Sequence, residues 1–152
     1  MNKKILFSIF IFSIALCALD HVLGAIFEQL DIIKNLKGPK FKNLTQEIFL
    51  AIFFAPLGET FIFQVVVYYL ISLFESFLTK YFNIIYLITS ALLFALSHSY
   101  SIYYQIGVFL PGVLLAYAFL YFKNRSKYPI LCVTIVHALH NIYILVLETF
   151  DI

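Results

Sequence analysis

Glu59 is a carboxylate set within residues 48–74, a run with no other charge. A charge at the bilayer centre costs about 2.5–3.5 kcal/mol on insertion scales, so such a residue faces a partner or a wet cavity. Few other polar side chains interrupt the apolar runs downstream: chiefly His98, His137, His140 and Asn141. His137 and Asn141 are four apart and share one helix face, one turn apart, with His140 at its edge. A carboxylate and an imidazole together can hold a water and take its proton. A second imidazole and an amide N–H can donate to a developing oxyanion. Glu59, His98 and His137 can also be read as ligands for zinc or another divalent metal, since two His and a carboxylate with an open position is a zinc arrangement. The soluble zinc-protease pattern His-Glu-x-x-His is absent.

Each residue also has a plainer reading. A buried Glu can be protonated and hydrogen-bonded to backbone freed by Pro56 and Gly58, which both loosen a helix. A His at a helix end can be interfacial, and His140 can be a helix contact. The coincidence of all of them favours a site.

The elements that must position these residues are apolar helices. The chain has 152 residues, 63% hydrophobic and 12% charged. Its mean hydropathy is +0.98. A soluble domain carries about 25% charged residues, so the composition places the chain in a membrane as a single domain, residues 1–152. A net charge of +2 gives no reason to expect nucleic acid as a partner. Cys17 and Cys132 lie in apolar runs and do not form a disulfide framework.

Lys3 and Lys4 precede an uncharged run at residues 5–19 that has the shape of a signal peptide. No small-residue cleavage site is clear before Asp20, and Leu16 is too large for lipoprotein processing at Cys17. The run is therefore read as a retained first span, with Asp20 and His21 as interfacial polar residues. Residues 31–47 form a polar connection with Gly38-Pro39 as a breaker and a helix start at Thr45-Gln46-Glu47. Residues 81–122 contain no Asp, Glu, Lys or Arg. That is about 63 Å of helix, enough for two crossings, with the break at Ser97-His98-Ser99. A basic loop at residues 123–127 precedes a fifth span from Pro129, and Glu148 and Asp151 close the chain. The reading is an all-α, polytopic bundle of about five transmembrane helices. Lys3, Lys4, Lys80, Lys123, Arg125 and Lys127 fall on one side and Lys34, Lys37, Lys40 and Lys42 on the other, which favours a cytoplasmic N-terminus. Glu59 and Asn141 each lie about 18 Å into their spans from opposite sides, so one cavity can hold both.

Three motifs resemble those of the CAAX-protease and bacteriocin-processing intramembrane proteases. The first reads Ala55-Pro56-Leu57-Gly58-Glu59-Thr60 through Gln64. The second reads Phe94-Ala95-Leu96-Ser97-His98, and the third His137-Ala138-Leu139-His140-Asn141. The resemblance spans residues 47–146. It implies a multi-pass membrane protease, expected in a bacterial plasma membrane, that cuts a membrane-associated peptide or protein. It further implies that Glu59 and His98 activate water while His137 and Asn141 stabilise the oxyanion. Members have been described both as metalloproteases and as metal-independent glutamic proteases. Two positions depart: the family's second Glu is Thr60 and its Arg is Gln64. These are i and i+4, so a neutral Thr–Gln pair able to hydrogen-bond stands where the family has a charged one. The paired loss leaves open a non-catalytic interaction or bacteriocin-immunity module. A Glu59-dependent proton-coupled channel is a third reading.

Overall fold

The computed structural model describes residues 2–35 and 37–150. Asp151 lies outside them. Five helices are long and apolar enough to cross a membrane: α1 (Lys3–Gln29), α2 (Leu44–Ser72), α3 (Glu75–Ser97), α4 (Ile102–Lys123) and α5 (Pro129–Phe150). No strand occurs among the described residues. The protein is an all-α polytopic bundle.

Local chemistry sets the helix starts. The Asn2 side chain accepts from the Ile5 N–H, and Ser101 Oγ from the Tyr104 N–H. α2 begins at Leu44, with Asn43 as its cap, slightly before the Thr45 start that the sequence suggested. Asn43 accepts from the Gln46 N–H at 2.9 Å, while Gln46 Oε1 accepts from the Lys42 N–H at 2.7 Å. This reciprocal cap outcompetes Thr45 as the start. Pro129 opens α5, where its missing N–H costs nothing.

α4 packs against all four other helices and is the centre of the bundle. Its buried face is Pro111, Gly112, Leu115, Ala116, Ala118, Phe119 and Phe122. A Cβ added at Gly112 would lie 3.0 Å from Phe94 Cδ1 and 3.2 Å from Ala91 Cα, so the glycine sets how closely α3 and α4 approach. Leu16 of α1 and Cys132, Val133 and Val136 of α5 complete the core. In a bilayer such packing draws on van der Waals contact and close approach rather than on water exclusion. The outer surface carries Phe7, Phe10, Phe53, Phe54, Leu57 and Phe61, all exposed, as a lipid-facing surface should.

α2 is not wound evenly. Its regular turn, Ala55–Glu59, sits between two π-helical stretches, Ile48–Phe54 and Thr60–Val66. Such stretches are rare and cluster at functional sites. In the first, the Ala55 N–H bonds the Leu50 carbonyl, five residues back. The next donor in that register would be residue 56, but proline has no N–H. The Ala51 carbonyl is left for a partner from another helix. In the second stretch the loosened carbonyls are also claimed. Ser90 Oγ donates to the Phe63 carbonyl at 2.8 Å and the Tyr86 hydroxyl to the Gln64 carbonyl at 3.1 Å. Backbone polar groups at membrane depth must be satisfied within the protein, and α3 supplies these donors.

Candidate active site

Glu59 points inward from the turn between the two loosened stretches. His98 Nε2 lies 3.8 Å from Glu59 Oε1, and His137 Nε2 lies 3.7 Å from Glu59 Oε2. Each carboxylate oxygen therefore has its own imidazole, delivered by a different helix. Both gaps exceed a direct hydrogen bond, which spans about 2.7–3.2 Å, and suit a shared third group such as water.

The partners of the two imidazoles assign their hydrogens. His98 Nδ1 is 2.7 Å from the Phe94 carbonyl, which only accepts, so Nδ1 donates and Nε2 presents a lone pair to Glu59. Phe94 and Tyr104 pack against this ring and hold its plane. His137 is the reverse case. Its ring is buried and Nδ1 has no partner among the described residues. The acceptor nearest its other nitrogen is the Glu59 carboxylate, so we assign the hydrogen to Nε2, where it faces the gap. One imidazole accepts and the other donates, although the sequence presents them as the same residue type.

Asn141 lines the same cavity of about 630 Å³. Its Nδ2 donates to the Ala51 carbonyl at 2.7 Å, the group that Pro56 leaves free. One amide hydrogen is thus committed and one remains. His140 turns away from Glu59: its Nε2 meets the Asp20 carboxylate of α1, and its Nδ1 lies 3.3 Å from Asn141 Oδ1. Asp20 and His21 were expected to be interfacial. Asp20 lines the cavity, and His21 Nε2 meets the Tyr143 hydroxyl, so both have partners on α5. A polar side chain on α1 finds its partner on α5 because the two helices pack together.

Thr60 and Gln64 are both fully buried, one turn apart on the inward face of α2. They do not bond to one another. The Gln64 amide, its nitrogen turned to its own helix, donates to the carbonyls of Glu59 at 3.1 Å and Thr60 at 3.3 Å. The Thr60 hydroxyl has no partner among the described residues. The loosened winding offers the amide two backbone acceptors, and it takes those. Gln64 therefore braces the main chain at the residue that carries the carboxylate.

The metal reading was tested on the same geometry. Zinc held at 2.0–2.1 Å in a tetrahedron sets ligand atoms about 3.3–3.4 Å apart. The edges here are 3.8 and 3.7 Å. Among the described residues no three His, Cys, Asp or Glu side chains are grouped to hold an ion. The side chains as placed do not form a closed ligand set.

A family model described as type II CAAX prenyl endopeptidase Rce1-like matches residues 41–143. The chain belongs to this family. The matched stretch holds all three motifs and ends just past Asn141; it excludes Asp20. No curated protein and no solved structure matches the chain. The family is one of CAAX proteases, and together with the five apolar helices it makes the protein an integral membrane protein of protease type.

Sequence reading missed the π-helical winding, the Ala51 carbonyl and the Asp20–His140 contact. Pro56 was the available signal for the second, because a missing N–H always orphans a carbonyl upstream. The Asp20 charge near the end of an apolar run was the signal for the third.

Proposed function

We propose that the protein is an intramembrane endopeptidase that hydrolyses a peptide bond near the prenylated C-terminus of a membrane-anchored peptide or protein, using its own side chains. The observation that carries this reading is the placement of one imidazole Nε2 opposite each oxygen of Glu59, at 3.8 and 3.7 Å.

A water placed between Glu59 Oε1 and His98 Nε2 donates one hydrogen to each, because both are acceptors. Its free lone pair is then aimed at the scissile carbonyl carbon. As the C–O bond forms, the proton passes to Glu59, which is general-base catalysis. The carbonyl oxygen becomes an oxyanion and accepts from His137 Nε2–H and from the uncommitted N–H of Asn141. Collapse breaks the C–N bond, and Glu59 returns its proton to the leaving amine. Burial of the site among apolar helices strengthens each of these contacts.

Purified protein in lipid nanodiscs is offered a quenched fluorescent peptide with a farnesylated Cys-aliphatic-aliphatic-X end. Glu59→Gln should cut it at least about 100-fold more slowly while inserting and unfolding as the wild type does. Unchanged cleavage by Glu59→Gln removes the carboxylate from the reaction and favours a non-catalytic module.

A further inference from the structure

Asp20 stands outside the matched stretch and outside the three motifs, yet it belongs to a continuous set of hydrogen bonds that ends at Asn141. Its carboxylate meets His140 Nε2. The same ring turns Nδ1 to Asn141 Oδ1 at 3.3 Å, and Asn141 Nδ2 donates to the Ala51 carbonyl at 2.7 Å. Three helices are joined in this way: α1, α5 and α2.

The bonding pattern dictates the hydrogens. A carboxamide oxygen only accepts, so His140 Nδ1 carries a hydrogen and donates it to Asn141. The Asp20–His140 contact holds one further proton. The Asn141 carboxamide is therefore held at both ends, its oxygen by His140 and one amide hydrogen by Ala51. Its other hydrogen is left on a side chain that lines the cavity with Glu59 and His137. A carboxamide held at one end can swing; held at both it cannot.

We propose that Asp20 and His140 are positioning residues for cleavage, acting through Asn141 to hold its remaining N–H where the oxyanion forms. This rests on the endopeptidase reading above. Both act through Asn141 rather than on the reacting atoms, so the effect falls on the transition state rather than on binding. Misplacement of a catalytic group by about 1 Å costs on the order of 100-fold.

The test uses the full chain in nanodiscs and the farnesylated peptide. Asp20→Ala and His140→Phe should each lower kcat about 10- to 100-fold with KM changed less than about twofold. Placed on top of Asn141→Ala, either should cost less than about threefold more, because the group they position is gone. Asp20→Glu should recover most of the kcat. Asp20→Asn and His140→Gln stand in for any variant that does not fold. Losses that multiply fully with Asn141→Ala, or that fall on KM, overturn the positioning role. Glu59-dependent cleavage that is indifferent to Asp20 and His140 overturns this proposal alone. Cleavage that does not require Glu59 overturns the endopeptidase reading and this proposal with it.

Discussion

Asn141 Nδ2 donates to the Ala51 carbonyl at 2.7 Å, closing a bond between α5 and α2 that exists because of a third residue, Pro56. The proline has no N–H to offer the carbonyl five residues upstream, and the Asn141 amide takes its place. Two of the three motifs are thereby joined: the proline of the first creates the acceptor that the asparagine of the third occupies. The Ala-Pro pair serves the site through the backbone, without contributing a reactive group.

Pro56→Ala restores the missing donor. The new N–H competes with Asn141 for the Ala51 carbonyl, and alanine favours a regular helix. The variant should unfold at the same temperature as the wild type or higher, yet cleave at least about 10-fold more slowly. Thermal unfolding in nanodiscs alongside cleavage kinetics separates the two. A variant that loses stability and activity in proportion would contradict the account.

Gln64→Leu removes the amide that braces the Glu59 and Thr60 carbonyls at 3.1 and 3.3 Å. Leaving buried acceptors unmet costs about 1–3 kcal/mol. Both the unfolding temperature and kcat should fall, because the main chain at Glu59 is no longer held. An unaltered kcat would show that Gln64 serves packing only.

Gly112→Ala forces α3 and α4 apart, since its Cβ would sit 3.0 Å from Phe94 Cδ1 and 3.2 Å from Ala91 Cα. Overpacking of this kind costs about 1–3 kcal/mol. Phe94 supplies the carbonyl that orients His98, so activity should fall as well. Equal unfolding temperatures for variant and wild type would refute the close approach.

Metal removal should leave cleavage intact. The Glu59 separations of 3.8 and 3.7 Å are wider than the edge of a zinc tetrahedron, and the proposed water activation uses the Glu59 carboxylate as its base. After extensive chelation and metal analysis, kcat should stay within about twofold of the untreated protein. Loss of activity with recovery on adding zinc would recast Glu59, His98 and His137 as ligands.

The bundle was legible because membrane helices announce themselves. Long uncharged runs bounded by lysines and glutamates placed all five spans, and the polar break at Ser97-His98 divided residues 81–122 correctly. The inward direction of Glu59 was legible as well, since a carboxylate in hydrocarbon is costly. Thr60 and Gln64 were read as i and i+4 on one face, but their burial and what they bond were not legible. Side-chain spacing reports which residues share a face and says nothing about carbonyls freed by a change in winding. The partner of Asp20 was not legible for a related reason: it lies 120 residues away, on a helix whose neighbour no local pattern names.

The sequence by itself determined that this chain crosses a membrane, that Glu59, His98 and His137 stand in or at the ends of its apolar runs, and that they follow the order of a protease family. Those facts depend on residue type and local period, which are written one residue at a time. Only the tertiary structure decided that His98 presents a lone pair and His137 a hydrogen, and that Asn141 is tethered between Ala51 and His140. A hydrogen's place on an imidazole is set by what lies against the other nitrogen, and that neighbour is fixed by how the helices pack.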